Sequence, residues 1–220
     1  MSIASNIHAV QLTLPKHVKL VAVSKFHPVE ALVEAYDAGM RVFGESKAQE
    51  IVGKYEVLPK DIEWHFIGHL QTNKVKYIAP FIHTIQSVDS FRLLQEINKQ
   101  AAQNNRVIQV MLQIHIATEE TKYGFDSVEC ETLLASSDFA SFKNIAVCGL
   151  MGMATNTSDE AQVEREFNTL HDLFNKIKAA NFQDDTNFSA LSMGMSDDYL
   201  LAVACGSTVV RVGSRLFGNR

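Results

Sequence analysis

Short apolar runs alternate along this chain with longer stretches in which apolar residues recur at helical spacing. The first run is VKLVAV at 18–23, a β-branched segment that predicts a buried strand ending at Lys25. Pro28 then opens a segment, 29–40, whose apolar positions recur every three or four residues, and Gly39 is placed to end it as a helix. The pattern predicts a strand, a loop and a helix.

The same unit repeats along the rest of the chain. Further strands are predicted at 41–44, 63–68, 84–88, 107–116, 145–151, 188–193 and 208–212. Helices are predicted at 48–57, 73–79, 90–102, 128–135, 159–180 and 197–204.

Alternation of this kind favours a parallel sheet with crossover helices. Eight strands within 220 residues predict a single (β/α)8 TIM barrel that occupies 1–220, and an open doubly wound sheet is the alternative. The barrel is favoured because no G-x-G-x-x-G follows the first strand and because chemically active residues follow several strands. Little sequence follows the last strand, so the amphipathic start at 3–12 is expected to cover part of the barrel wall.

Composition and charge exclude several classes of protein. Hydrophobic residues make up 46% of the chain and charged residues 20%, which excludes global disorder. The net charge is −5 and no basic stripe is present, so a nucleic-acid partner is not expected. No run approaches the roughly 18 apolar residues of a membrane span, and MSIASNIHAV does not resemble a signal peptide. We therefore expect no membrane partner and a cytoplasmic location.

The spacing of cysteines and histidines argues against a metal site. The three cysteines, Cys130, Cys148 and Cys205, lie far apart and form no C-x-x-C pair, so they are interpreted as reduced core thiols. The histidines are scattered without an H-E-x-x-H or similar spacing. His65, at the start of the third predicted strand, is interpreted as a core histidine, with a place at the barrel mouth as the alternative.

Lys25 is the first candidate for chemistry. It follows the apolar run in VAVSKFHP, which places it at the carboxyl end of the first predicted strand and therefore at the mouth of a barrel. Partial desolvation of a lysine lowers its pKa, and the free amine then attacks carbonyl groups to form Schiff bases. A surface lysine in a loop is the alternative interpretation.

Two loops near the end of the chain have the composition of a phosphate site. LSMGMSDD places Gly194 and Ser196 after the seventh predicted strand, and VVRVGSRLFG places Arg211, Gly213 and Ser214 at the end of the eighth. Loops after strands seven and eight form the recurrent phosphate site of these barrels. The alternatives are a helix cap at Ser196 and an ordinary turn at Gly213.

An amine beside a phosphate cradle suits an aldehyde that carries a phosphate. Pyridoxal 5′-phosphate (PLP) is the first candidate, and sugar phosphates that form Schiff bases are the alternative. The sequence resembles the pyridoxal phosphate homeostasis protein family, whose barrel is similar to the N-terminal domain of alanine racemase. The resemblance runs from Val18 to Gly218 through VAVSKFHP, FGESKAQE, WHFIGHLQTNK, ETKYGF, GLMGMAT, LSMGMSDD and VRVGSRLFG, in that order.

The resemblance implies a PLP site at matching positions. Lys25 would form the imine, Ser196, Gly213 and Ser214 would hold the phosphate, Met195 would lie against the cofactor, and Arg211 would face the pyridine nitrogen. Ser46 stands where the family usually has asparagine, so the polar contact of that amide is shortened or lost. Lys122 in ETKYGF is interpreted as a surface lysine, with contact to an anion as the alternative.

The resemblance also implies a role in vitamin B6 homeostasis without strong catalytic activity. A permanently charged guanidinium disfavours protonation of the ring nitrogen, which weakens the electron sink that catalysis uses. A PLP-dependent racemase-like enzyme is the alternative, and a regulator that binds proteins with PLP as its signal is a third. Partners would be PLP and apo forms of PLP-dependent enzymes, and the lack of a dimerising domain predicts a monomer.

Overall fold

A computed structural model describes residues 2–119 and 123–218, so Lys122 lies outside the described residues. The strands are β1 (Lys19–Val23), β2 (Val42–Glu45), β3 (Glu63–Phe66), β4 (Thr84–Val88), β5 (Ile108–Ile114), β6 (Ile145–Gly152), β7 (Ala190–Ser192) and β8 (Val209–Val212). The helices are α1 (Ile3–Thr13), α2 (Val29–Asp37), α3 (Ala48–Val57), α4 (Thr72–Ile78), α5 (Phe91–Gln103), α6 (Ser127–Leu134), α7 (Ser137–Ala140), α8 (Glu160–Asn181), α9 (Tyr199–Ala204) and α10 (Ser214–Phe217).

The strands close into a barrel in chain order. Each strand pairs in parallel with the next, and β8 pairs in parallel with β1. Because every neighbour is parallel and the ring is closed, all strand carboxyl ends open at the same mouth. The predicted (β/α)8 barrel is confirmed, and the doubly wound alternative is wrong.

The first helix covers the outer wall at the seam between the two ends of the chain. Ile7 and Val10 of α1 are buried in the main apolar core. The Asn6 side chain donates to the carbonyl of Leu216 at 3.0 Å, which ties α1 to α10. The helix therefore has the covering position that was expected for 3–12.

Two apolar layers hold the barrel together. The larger lies between strands and helices and contains the fully buried rings of Phe43, Trp64 and Phe167. A smaller cluster contains Val21 of β1 and Met111 of β5, among others. Strands β1 and β5 lie on opposite sides of the ring, so this second cluster fills the barrel interior.

The three cysteines are buried and free, as expected for core thiols. Burial raises the pKa of the Cys130 and Cys148 thiols to about 12, so these groups stay protonated near neutral pH. Within the part of the chain that the structure describes, no helix combines the length and apolar character needed to span a bilayer.

Candidate functional site

All the residues predicted to bind a cofactor line one cavity at the carboxyl-terminal mouth of the barrel. The cavity has a volume of about 400 Å³, within the usual range for small-molecule sites. The predicted residues on its wall are Lys25, Ser46, Met195, Ser196, Arg211, Gly213 and Ser214. Sequence reasoning did not include His27, Ile67 or Met153, which also line it, although His27 lies in the same SKFHP segment as Lys25.

The loop that carries Lys25 is held on both sides of the lysine. The Ser24 hydroxyl donates to Glu45 Oε1 at 2.6 Å, and the Phe26 amide donates to Glu50 Oε1 at 2.5 Å. Phe26 has a φ of +66°, a left-handed conformation that a bulky residue adopts only when its surroundings impose it. Lys25 is therefore presented from a loop whose backbone is fixed by β2 and α3.

A buried ammonium organises these two carboxylates. Lys54 Nζ donates to Glu45 Oε1 at 2.8 Å, to Glu50 Oε1 at 2.7 Å and to the Ser24 carbonyl at 2.8 Å. Burial raises the pKa of Glu45, and the hydrogen bonds from Lys54 and Ser24 oppose that shift. Sequence reasoning missed this cluster, although Glu50 and Lys54 have the i, i+4 spacing of a helical ion pair.

A hydrogen bond joins the two loops that were predicted to hold phosphate. Ser196 Oγ accepts from the backbone N–H of Gly213 at 3.1 Å. The alternative role of Ser196 as a helix cap is wrong, because the N-cap of α9 is Asp198. The Asp198 carboxylate accepts from the Met195 amide at 2.5 Å, which folds the loop before α9 back on itself.

Glycine residues let these loops pack closely against neighbouring elements. Gly194 has a φ of +92°, and a Cβ there would lie 2.5 Å from the Cβ of Ala202. A Cβ on Gly213 would lie 3.2 Å from the Val23 carbonyl oxygen, a tight contact with β1. The loops after β7 and β8 are therefore packed closely against their neighbours.

Arg211 places a buried positive charge in the cavity wall. Its guanidinium donates to the carbonyl of Ser192 at 3.0 Å, to the Ser192 hydroxyl at 2.6 Å and to the carbonyl of Gly152 at 3.0 Å. Burial lowers the pKa of Arg211 to about 10, and Asp198 opposes the shift. The group is therefore still protonated at neutral pH.

A polar chain runs from Arg211 through the barrel interior. The Ser192 hydroxyl donates to Gln86 Oε1 at 2.7 Å, and Gln86 Nε2 lies 2.7 Å from His65 Nδ1. Burial holds the pKa of His65 well below its usual value, so the ring is neutral. His65 lines a second cavity, between the amino-terminal ends of the strands, so it does not lie at the mouth beside Lys25.

The mouth suits an anionic ligand with a carbonyl group. It offers the amine of Lys25, the hydroxyls of Ser196 and Ser214 and the charge of Arg211, and none of the described residues on its wall is acidic. These are the groups that a phosphate and an aldehyde require. The residues present therefore fit PLP.

Comparison with known proteins places the chain in a family. Residues 1–220 match the family model described as alanine racemase, N-terminal domain. A pyridoxal phosphate homeostasis protein of Pasteurella multocida is 38% identical over 206 residues, which covers 92% of this chain and 87% of the relative. One from Aquifex aeolicus is 39% identical over 204 residues, with the same coverage of 92% and 87%.

Solved structures agree with this assignment. PipY of Synechococcus elongatus, solved without PLP, is 34% identical and has a TM-score of 0.92, covering 99% of this chain and 100% of PipY. PipY with PLP bound is 33% identical and has a TM-score of 0.88, with the same coverage of 99% and 100%. From its sequence and its barrel, the chain belongs to the family of pyridoxal phosphate homeostasis proteins, which share the alanine racemase N-terminal domain fold.

Proposed function

We propose that this chain binds PLP as a Schiff base on Lys25 and takes part in vitamin B6 homeostasis without strong catalytic activity. The observation that carries the proposal is the meeting of Lys25, Ser196 and Arg211 around one cavity of about 400 Å³. The names of the relatives and the PLP-bound form of PipY support the same ligand. Partners of this function are PLP itself and apo forms of PLP-dependent enzymes.

Each part of the mouth has a distinct task in this proposal. The amine of Lys25 condenses with the aldehyde of PLP, and one water molecule leaves. The Ser196 hydroxyl already accepts from the Gly213 amide, so its own proton is directed to a phosphate oxygen. Gly213 positions Ser196, and Ser214 supplies a second hydroxyl on the cavity wall.

Arg211 supports a role in binding PLP more than a role in catalysis. Bound PLP supplies an electrophilic aldehyde and an electron-withdrawing ring. A protonated guanidinium facing the ring nitrogen disfavours a second positive charge there, so the ring withdraws electrons less strongly than it does beside a carboxylate. A racemase-like activity is the second candidate, and the match to the alanine racemase domain is the observation that favours it.

Lys25→Ala should abolish covalent binding of PLP. Wild-type protein mixed with PLP is expected to show an imine absorption band and, after borohydride reduction, a single modified residue, Lys25. Lys99→Ala removes an exposed lysine of α5 and should behave like the wild type. A reduced adduct that persists in Lys25→Ala, or that never forms in the wild type, would contradict the proposal.

The same samples distinguish a carrier from an enzyme. Each is incubated with a panel of L-amino acids, and optical rotation and keto-acid formation are followed. We expect the amino acids to remain unchanged. Racemisation that Lys25→Ala abolishes would support the racemase-like alternative instead.

Ser196→Ala should weaken PLP binding roughly 10- to 100-fold, because a hydrogen bond to a charged group is lost and the Gly213 amide loses its acceptor. The dissociation constant is measured by titration with PLP. Ser189→Ala is the matched control, since Ser189 is exposed and lines the cavity at the opposite end of the barrel. Equal affinities for the two variants would remove Ser196 from the proposed site.

A further inference from the structure

We infer that the amino-terminal end of the barrel contains a second site, which binds a divalent transition-metal ion through Glu63, His65 and His83. One potential ligand atom of each residue lies within 4.8 Å of those of the other two. Two imidazoles and one carboxylate form a ligand set typical of zinc, with a further position left for water. Glu63 and His65 come from β3, and His83 directly precedes β4, which pairs with β3.

The site opens onto a cavity of its own. His65 and His83 line a cavity of about 480 Å³ among the amino-terminal ends of the strands, separate from the one that contains Lys25. Their rings lie parallel, with centroids 5.7 Å apart. The site is therefore distinct from the proposed PLP site, and the two can be tested independently.

His65 carries an unsatisfied atom at this position. The residue is 2% exposed, and its Nε2 is buried without a hydrogen-bond partner among the described residues. A buried polar atom without a partner is costly, and native structures rarely keep one without a reason. A metal ion would give this nitrogen a partner, because an imidazole nitrogen is a common metal ligand.

The other ring nitrogens have partners that orient the imidazoles. His83 Nδ1 lies 2.8 Å from the Thr84 hydroxyl, and His65 Nδ1 lies 2.7 Å from the side-chain amide of Gln86. Binding through Nε2 requires the proton on Nδ1, which Thr84 accepts directly. Gln86 accepts it after a half-turn of its amide, which brings Oε1 to His65 and the NH2 group to the Ser192 hydroxyl.

Lys19 places a positive charge beside the proposed metal ligands. Its Nζ lies 3.1 Å from Glu63 Oε2, and both side chains are partly exposed. An incoming cation has to displace this ammonium from the carboxylate and overcome its repulsion. Removal of the Lys19 charge should therefore strengthen metal binding, whereas loss of a ligand should weaken it.

The test is a calorimetric titration of the full chain, freed of metal by a chelator, with Zn²⁺. We expect binding of one ion per chain and an affinity at least about 10-fold lower for Glu63→Gln and for His83→Gln. Lys19→Met should bind several-fold more tightly than the wild type. His69→Gln alters a histidine outside the cluster and serves as the control.

Co²⁺ supplies a second readout, because visible absorption bands of a low-coordinate ion report the ligand geometry. These bands are expected in the wild type and in His69→Gln and should be lost in His83→Gln. Absence of stoichiometric Zn²⁺ binding, or equal affinity across Glu63→Gln, His83→Gln and His69→Gln, would overturn the inference. Titration of each variant with PLP checks that the barrel is folded. Because the two cavities are separate, a variant can lose Zn²⁺ binding and still bind PLP.

Discussion

Gly149→Ala is expected to prevent the barrel from closing. Gly149 lies in β6 opposite Ala190 of β7, and a Cβ built on it would lie 1.6 Å from the carbonyl oxygen of Ala190. The next nearest atom is the carbonyl carbon of the same residue, at 2.6 Å. The clash is therefore with backbone, so no side chain can rotate away to relieve it, and the two strands have to separate.

The free energy of unfolding should fall by more than about 4 kcal/mol, which is a large part of the 5–15 kcal/mol of a typical domain. Gly53→Ala is the matched control, because Gly53 lies within α3 and a Cβ there meets nothing within 4 Å. Alanine favours a helix over glycine by about 1 kcal/mol, so this control should be unchanged or slightly more stable. The stability of both variants is measured by unfolding in urea, monitored by circular dichroism. A Gly149→Ala protein within about 1 kcal/mol of the wild type would show that the strands adjust around the methyl group.

Lys54→Met should destabilise the fold by about 3–5 kcal/mol, because it leaves the Glu45 carboxylate buried without its cation. It should also weaken PLP binding, since Lys54 holds the Ser24 carbonyl and the Glu50 carboxylate that fix the loop around Lys25. Unfolding by urea gives the first effect, and titration with PLP gives the second.

Two further variants separate these causes. Lys54→Met combined with Glu45→Gln removes the buried negative charge and should recover part of the stability but not the position of the loop. Lys176→Met breaks the exposed ion pair with Glu131 and should change stability little. If Lys54→Met were no more destabilising than Lys176→Met, the buried cluster would not support the fold.

The periodic pattern predicted the strands and helices well where an element is long or bounded by clear turns. The strand at 84–88 and the helix at 48–57 have the predicted ends. The strand predicted at 188–193 is shorter, Ala190–Ser192, and Gly194 turns the chain with a positive φ soon after it. The Phe188 ring, before the strand, stacks on those of Phe174 and Phe182. Helices α7 and α10 have four residues each, too few to show a helical period.

The site was predictable in part because its residues follow strand ends. Lys25, Ser196 and Gly213 are recognisable beside their strands, and a barrel brings all strand ends to one mouth. The contacts between elements were not predictable in this way. Lys54 of α3 pairs with Glu45 of β2, and His65 of β3 meets His83 beside β4. Both depend on which side chains meet between a helix and a strand or between neighbouring strands, and no short motif records this.

The hydrogen bonds that run from Arg211 to His65 inside the barrel are donated in one direction, which begins at Arg211. A guanidinium can only donate, so the Ser192 hydroxyl accepts a hydrogen bond from Arg211 and donates one to Gln86 Oε1. Gln86 then donates in turn, which leaves the proton of His65 on Nε2. In this arrangement the His65 tautomer follows the orientation of the Gln86 amide, which the Ser192 hydroxyl and Arg211 favour from the other end of the chain of hydrogen bonds. A ligand that binds His65 through Nε2 has to turn the Gln86 amide, whereas the hydrogen bond from Arg211 to Ser192 keeps its direction.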